Sequence, residues 1–171
     1  LEPGTYRITK ALVPKSNDAL VGQPGTVLSG SKPLTSWTDN GSQWTHTGDT
    51  VSPGPLVGSC ADDSDACKYP DDVFMDNVRL ARVLSLSSLG PGEVYIDYGA
   101  NKVYLADDPT GHDVEYAVAS KAIDGGGASS VTLSGLIIEK CANPAQQGAI
   151  TTGAGSDWVI ENSDVRFNHG A

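Results

Sequence analysis

The stretch "GEVYIDYGANKVYLADD" sets Val94, Ile96 and Tyr98 on one side of an extended chain, turns at "GAN", and brings Val103 and Leu105 back in the same alternation. That period of two predicts a β-hairpin. "DVFMDNVRLARVLSL" before it and "DVEYAVA" after it read as further strands, with "DDPTG" as a turn. An antiparallel β-sandwich or small barrel is therefore expected over 37–120, with Trp37 and Trp44 as the large apolar groups of an otherwise turn-rich entry segment. Upstream, over 1–36, "GTYRI" and "TVLSG" are strand-like and flank a tight turn at Gly22, Pro24 and Gly25.

Beyond "AIDGGGASS", the pattern over 121–171 repeats. "VTLSGLIIEKCAN" from Val131 lies over "WVIENSDVRFNHG" from Trp158 at an offset of 27 residues, so that Leu133 meets Ile160, Ile138 meets Val165, and Cys141 meets Asn168. Each copy has two short strands bent at a corner, Gly135 in one and Asn162 in the other, and "GAITT" supplies a third. Self-similarity at this period predicts a solenoid, and three short strands per turn predict a parallel β-helix. Pleating then puts Leu133, Leu136, Ile138, Ile160 and Val165 inside the coil and Glu139 and Arg166 outside. Asn168 is expected to bond along the stack through its amide, and Cys141 to be a small core residue. The last copy breaks off mid-pattern, so the final segment is expected to be one rung of a longer coil.

Composition agrees with an all-β chain: Gly 20 and Pro 10 in 171 residues favour turns and short strands over helices. The formal net charge of −10, with 11 basic residues scattered among 21 acidic ones, argues against a nucleic-acid partner and against anionic membrane surfaces. No apolar stretch reaches the length of a membrane span. Cys60 and Cys67 close the short acidic loop "CADDSDAC" and are expected to form a disulfide if the protein is exported. Asp62, Asp63 and Asp65 in that loop offer oxygens for calcium, although no EF-hand spacing is present; a solvated loop is the alternative.

Together these stretches resemble secreted right-handed parallel β-helix proteins of the pectate-lyase-like, carbohydrate-active kind. "LEPGTYRITKALVPKSNDALVGQPGTVLSGSKPLTSW" is similar to their opening rungs, "VFMDNVRLARV" and "GEVYIDYGANKVYLADDP" to the inserted sandwich or barrel of several members, and "GLIIEKC" and "VIENSDVRFNHG" to the repeat that follows. The resemblance implies an extracellular or cell-surface protein with a carbohydrate partner, either a glycoside hydrolase or polysaccharide lyase or a non-enzymatic stalk that uses the coil as a spacer. The scaffold carries many activities, so the site must decide between them.

Glycoside hydrolysis needs two carboxylates facing one sugar. Glu161 and Asp164 share a rung and are the candidates for acid and base work, with His169 in "FNHG" as a proton carrier; solvated corner residues are the other reading. Arg166, one rung from Glu139, is a substrate-binding candidate or half of an exposed charge ladder. Trp37 and Trp44 would stack on sugar if exposed and anchor the insert if buried; His46 and His112 have weaker claims.

Overall fold

A computed structural model describes residues 1–61 and 64–170 of the chain. It is all-β, with two short 3-10 turns, Ala66–Lys68 and Leu86–Ser88. In chain order the strands are β1 (Gly4–Arg7), β2 (Ala19–Val21), β3 (Thr26–Ser29), β4 (Ser31–Pro33), β5 (Thr38–Asp39), β6 (Trp44–Thr47), β7 (Val73–Met75), β8 (Val78–Arg79) and β9 (Ala81–Val83). They continue with β10 (Glu93–Asp97), β11 (Lys102–Leu105), β12 (Val114–Ala117), β13 (Ile123–Asp124), β14 (Thr132–Ser134), β15 (Ile137–Glu139), β16 (Ile150–Thr151), β17 (Val159–Glu161) and β18 (Asp164–Arg166). Two compact units result: Leu1–Ser31 with Ala117–Ala171, and the insert Lys32–Tyr116. The insert thus begins and ends a few residues before the boundaries the composition suggests. Ser31–Pro33 already pairs with Val114–Ala117, and nothing in the turn-rich sequence marks that pairing.

The first unit is built of parallel sheets, ordered β1-β3-β15-β18, β17-β14-β2 and β13-β16. Registers follow the sequence offset: Leu133 pairs with Ile160 and with Leu20, and Ile138 with Val165 and with Leu28. Between the sheets lie Leu28, Val131, Leu133, Leu136, Ile138 and Cys141, each 1 % exposed or less. Each buried Leu or Ile here contributes about 2–5 kcal/mol against truncation to Ala. Burial also pushes the Cys141 thiol up to about 12, so it stays protonated packing material.

Corners use the left-handed region. Gly135 has φ +69°, and a Cβ there would run into the Gly22 carbonyl; the equivalent Asn162 has φ 50°, which its short polar side chain tolerates. At the next corner Asn168 bonds along the stack, its Oδ1 accepting from the Cys141 N–H (2.9 Å) and its Nδ2 donating to the Ile138 carbonyl (3.1 Å).

Two expectations need correction. Ile160 and Val165 stack in register yet are 46 % and 47 % exposed, because β17 and β18 are edge strands that described residues cover on one side only. Glu139 does alternate to the face opposite Ile138, but it is buried at 6 % exposure, its Oε2 accepting from Arg166 Nε at 2.9 Å and its Oε1 lying 3.7 Å from Lys140 Nζ.

The insert has a five-stranded sheet, β5-β6-β11-β10-β9, and a four-stranded one, β4-β12-β7-β8. The hairpin register is Val94 to Leu105 and Ile96 to Val103, and all four are buried. One pairing departs from the antiparallel expectation: β9 runs parallel to β10, the chain crossing over through the 3-10 turn between them. Cys60 and Cys67 are disulfide-bonded.

Candidate functional site

In the parallel-sheet unit the pleat brings the polar candidates to the face away from the core. Arg166, on β18, donates through Nε to Glu139 on β15 and through Nη1 to Asp164 at 3.2 Å, with its guanidinium 5.3 Å from the Phe167 ring. Asp164 therefore shares its charge with a cation that Glu139 also holds. Glu161, exposed on β17, accepts from the Ser134 hydroxyl of the neighbouring strand β14 at 3.4 Å. Asp164 also borders a shallow corner groove of about 680 Å³ with Ser134, Gly135, Asn162 and Ser163; Glu161 does not line it. His169 is half-buried, with its backbone N–H bonded to the Cys141 carbonyl at 3.2 Å. Glu161, Asp164, Arg166 and His169 thus lie on one or two adjacent passes of the chain, and Arg166 ties Asp164 to Glu139 rather than to Glu161.

In the insert, Trp44 and His46 share the inner face of β6: Trp44 is opposite Leu105 and His46 opposite Val103. Trp37 packs its half-buried ring against His46 at 5.4 Å and donates its Nε1–H to the Leu34 carbonyl. Both tryptophans are half-buried. His46, 5 % exposed, is held by the Thr35 carbonyl at one ring nitrogen and by Asp49 at the other (2.7 Å). Lys32 also bonds Asp49 at 2.7 Å, and these two contacts hold the Asp49 carboxyl below the usual carboxylate range, Lys32 contributing most.

A second network escapes sequence reasoning altogether. Asp71, 1 % exposed, accepts from Tyr116 (2.6 Å), from Tyr98 (2.8 and 2.9 Å) and from Arg82 Nη2 (3.0 Å), which also reaches the Asp71 carbonyl at 2.6 Å. Burial pushes the Asp71 carboxyl up while Arg82 and the two hydroxyls pull it back; burial likewise pushes both tyrosines well above their usual range. The only hint in the sequence is an acidic residue inside "YPDDVF", next to buried strand residues.

Among the described residues no group of three or more His, Cys, Asp or Glu gathers to hold a metal ion, and Asp62 and Asp63 of the expected calcium loop lie outside them. No described helix is long and apolar enough to cross a membrane.

The class of the chain is all-β, with parallel sheets carrying a mixed-sheet insert. Among solved structures it is similar to XylC, determined in complex with xylose, with a TM-score of 0.75 over 96 % of this chain at 17 % identity. At that identity the likeness is one of fold. The chain spans 34 % of the length of XylC. No protein-family model matches it, and no curated protein does.

Proposed function

We propose that this is an extracellular, carbohydrate-active protein on a right-handed parallel β-helix with an inserted β-sandwich, of the glycoside hydrolase or polysaccharide lyase type. The observation that carries the reading is the rung stacking, Leu20 to Leu133 to Ile160 and Leu28 to Ile138 to Val165, together with the fold likeness to a protein solved with xylose. The Cys60–Cys67 disulfide supports an oxidising compartment. On this reading Glu161, Asp164 and His169 are the acid–base candidates and Arg166 is a substrate-binding one, with Asp164 at the rim of the corner groove. A second reading, a non-enzymatic glycan-binding spacer, is favoured by one feature: Asp164 and Glu139 are both held by Arg166, which leaves Glu161 without a carboxylate partner of its own.

Incubation with plant, algal and host polysaccharides, followed by assay for reducing sugars and unsaturated products, separates the two. Product release that Glu161→Gln abolishes is expected. Binding without product assigns the spacer reading, and neither binding nor product from any glycan overturns both.

A further inference from the structure

The outer face of the insert's five-stranded sheet carries a second arrangement, independent of the residues above. Register places Trp44, His46, Val94, Ile96, Val103 and Leu105 on the inner face, which leaves Thr45, Thr47, Tyr95, Asp97, Lys102 and Tyr104 on the outer one. Tyr95 and Tyr104 are direct cross-strand partners with ring centroids 5.7 Å apart and planes inclined by 29°. Both are half-buried, and neither hydroxyl bonds to a described residue. An outward pair of large rings on a polar face does no work in the core.

A depression lies on either side of this pair. One, of about 430 Å³, is bounded by Tyr104 with Thr38, Asn40, Gln43, Thr47 and Lys102. The other, of about 290 Å³, is bounded by Tyr95 and Asp97 of the outer face and by Tyr69, Arg82 and Tyr98 at the β9 edge of the sheet, Arg82 being in register with Val94 and Tyr98 in alternation with Ile96 on the inner side. Each therefore combines an aromatic wall with hydroxyl, amide or charged groups able to donate and accept, the mixture that a ring with an apolar face and a hydroxylated rim requires. Charge across the face is balanced, since Lys102 stands opposite Asp97 in the hairpin register. That balance, with a net charge of −10 on the whole chain, disfavours an anionic ligand.

The second depression is also rigid before anything enters it. Arg82 lies 5.1 Å over the Tyr69 ring, and Tyr69 stacks on Tyr98 at 5.9 Å with planes 10° apart. Arg82 and Tyr98 are both locked to Asp71 behind them. Fixed rotamers lower the ordering cost of binding.

We infer that the Tyr95–Tyr104 pair binds a neutral oligosaccharide, with one sugar ring seated in the Tyr104 depression on the outer face and another reaching past Tyr95 to the depression at the sheet edge. The inference rests on the carbohydrate-active reading and adds where on the insert the glycan sits and which chemistry it has.

The test is titration of the whole chain with xylobiose and xylotriose, with neutral hexose oligomers and with galacturonate oligomers, read by saturation-transfer NMR and calorimetry. Neutral oligomers are expected to bind, and Tyr95→Ala and Tyr104→Ala each to weaken that binding by about tenfold, the size of one lost aromatic stacking contact. Tyr95→Phe and Tyr104→Phe keep the ring and should retain most of the affinity; unchanged circular dichroism would show that the alanine variants remain folded. Unchanged affinity in both alanine variants places the glycan elsewhere and sinks this inference alone, leaving the carbohydrate reading in place. Preference for the galacturonate oligomers overturns the neutral assignment. Absence of binding by every oligomer overturns the inference and, if the product assay is also blank, the carbohydrate reading with it.

Discussion

The two units reach order by different means. In the parallel-sheet unit a side chain finds its neighbour 27 residues further on, again and again, as when Ser134 meets Glu161, Cys141 meets Asn168 and Arg166 meets Glu139. Its core cluster is apolar, and its buried ionic group, Glu139 with Arg166 and Lys140, again joins equivalent or neighbouring positions. In the insert nothing repeats: Asp71 gathers partners 11, 27 and 45 residues away and closes around a buried ionic group. A repeating unit specifies itself by stacking like on like, with modest demands on any single contact. A non-repeating one must fix its two sheets by contacts that each occur once.

This contrast can be broken first at the core of the repeating unit. Ile138→Asp puts a carboxylate at a site 0 % exposed, between Leu28 and Val165 in the sheet, at an expected cost above about 4 kcal/mol. Hydrogen exchange should show protection lost over 1–31 and 117–170 and kept over 32–116. Equal loss in both units would show that they are not independent.

Asp71→Asn is the matching experiment in the insert. It leaves Arg82 buried without a counter-charge and should cost about 3–5 kcal/mol, as loss of one partner of a buried pair generally does. Urea unfolding followed residue by residue by exchange should place that loss in the insert. A cost below about 1 kcal/mol would mean that the network contributes little and that the contrast with the repeating unit is overdrawn.

A smaller effect is expected from Asn168→Ala, which strips partners from the Cys141 N–H and the Ile138 carbonyl. About 1–3 kcal/mol should be lost in the repeating unit, measurable as a lower urea midpoint with an unchanged slope.

The smallest sharpens the electrostatic side. His112 Nδ1 lies 2.5 Å from Asp76 Oδ2, and this contact raises the histidine above its ordinary 6.5 and lowers Asp76 below its ordinary 3.8. A raised histidine contributes fully below its unfolded value and loses its contribution as pH rises through the folded one. A lowered carboxylate contributes above its unfolded value and loses that contribution as pH falls through the folded one, so the pair acts between the two. An NMR titration should put the His112 midpoint above 6.5 and Asp76→Asn should return it; a midpoint at the ordinary value in the intact protein would refute the pairing.

What the sequence discloses follows the same division. Repetition makes the strand register of the parallel sheets readable, and alternation makes Val94, Ile96, Val103 and Leu105 readable as inward, because both are periodic signals carried by many residues at once. Burial of Glu139 is not readable, since a carboxylate in an outward position looks solvated until its cations, Arg166 and Lys140, are placed around it. Nor is the face of Trp44, which depends on the β6–β11 register and not on any local pattern. Asp71 is least readable of all: one acid among 21, distinguished only by partners far along the chain.

The Gly30 carbonyl accepts the N–H groups of both Val118 (2.8 Å) and Ala119 (2.9 Å), so the chain that leaves the parallel-sheet unit at Ser31 and the chain that returns at Ala117 are fastened to one atom. For that unit the whole of Lys32–Tyr116 is then a loop whose ends are already closed, and closing a longer loop between fixed ends adds little entropy cost. A shorter or longer segment exchanged between Gly30 and Val118 should therefore leave the pairing of β3 with β15 in place.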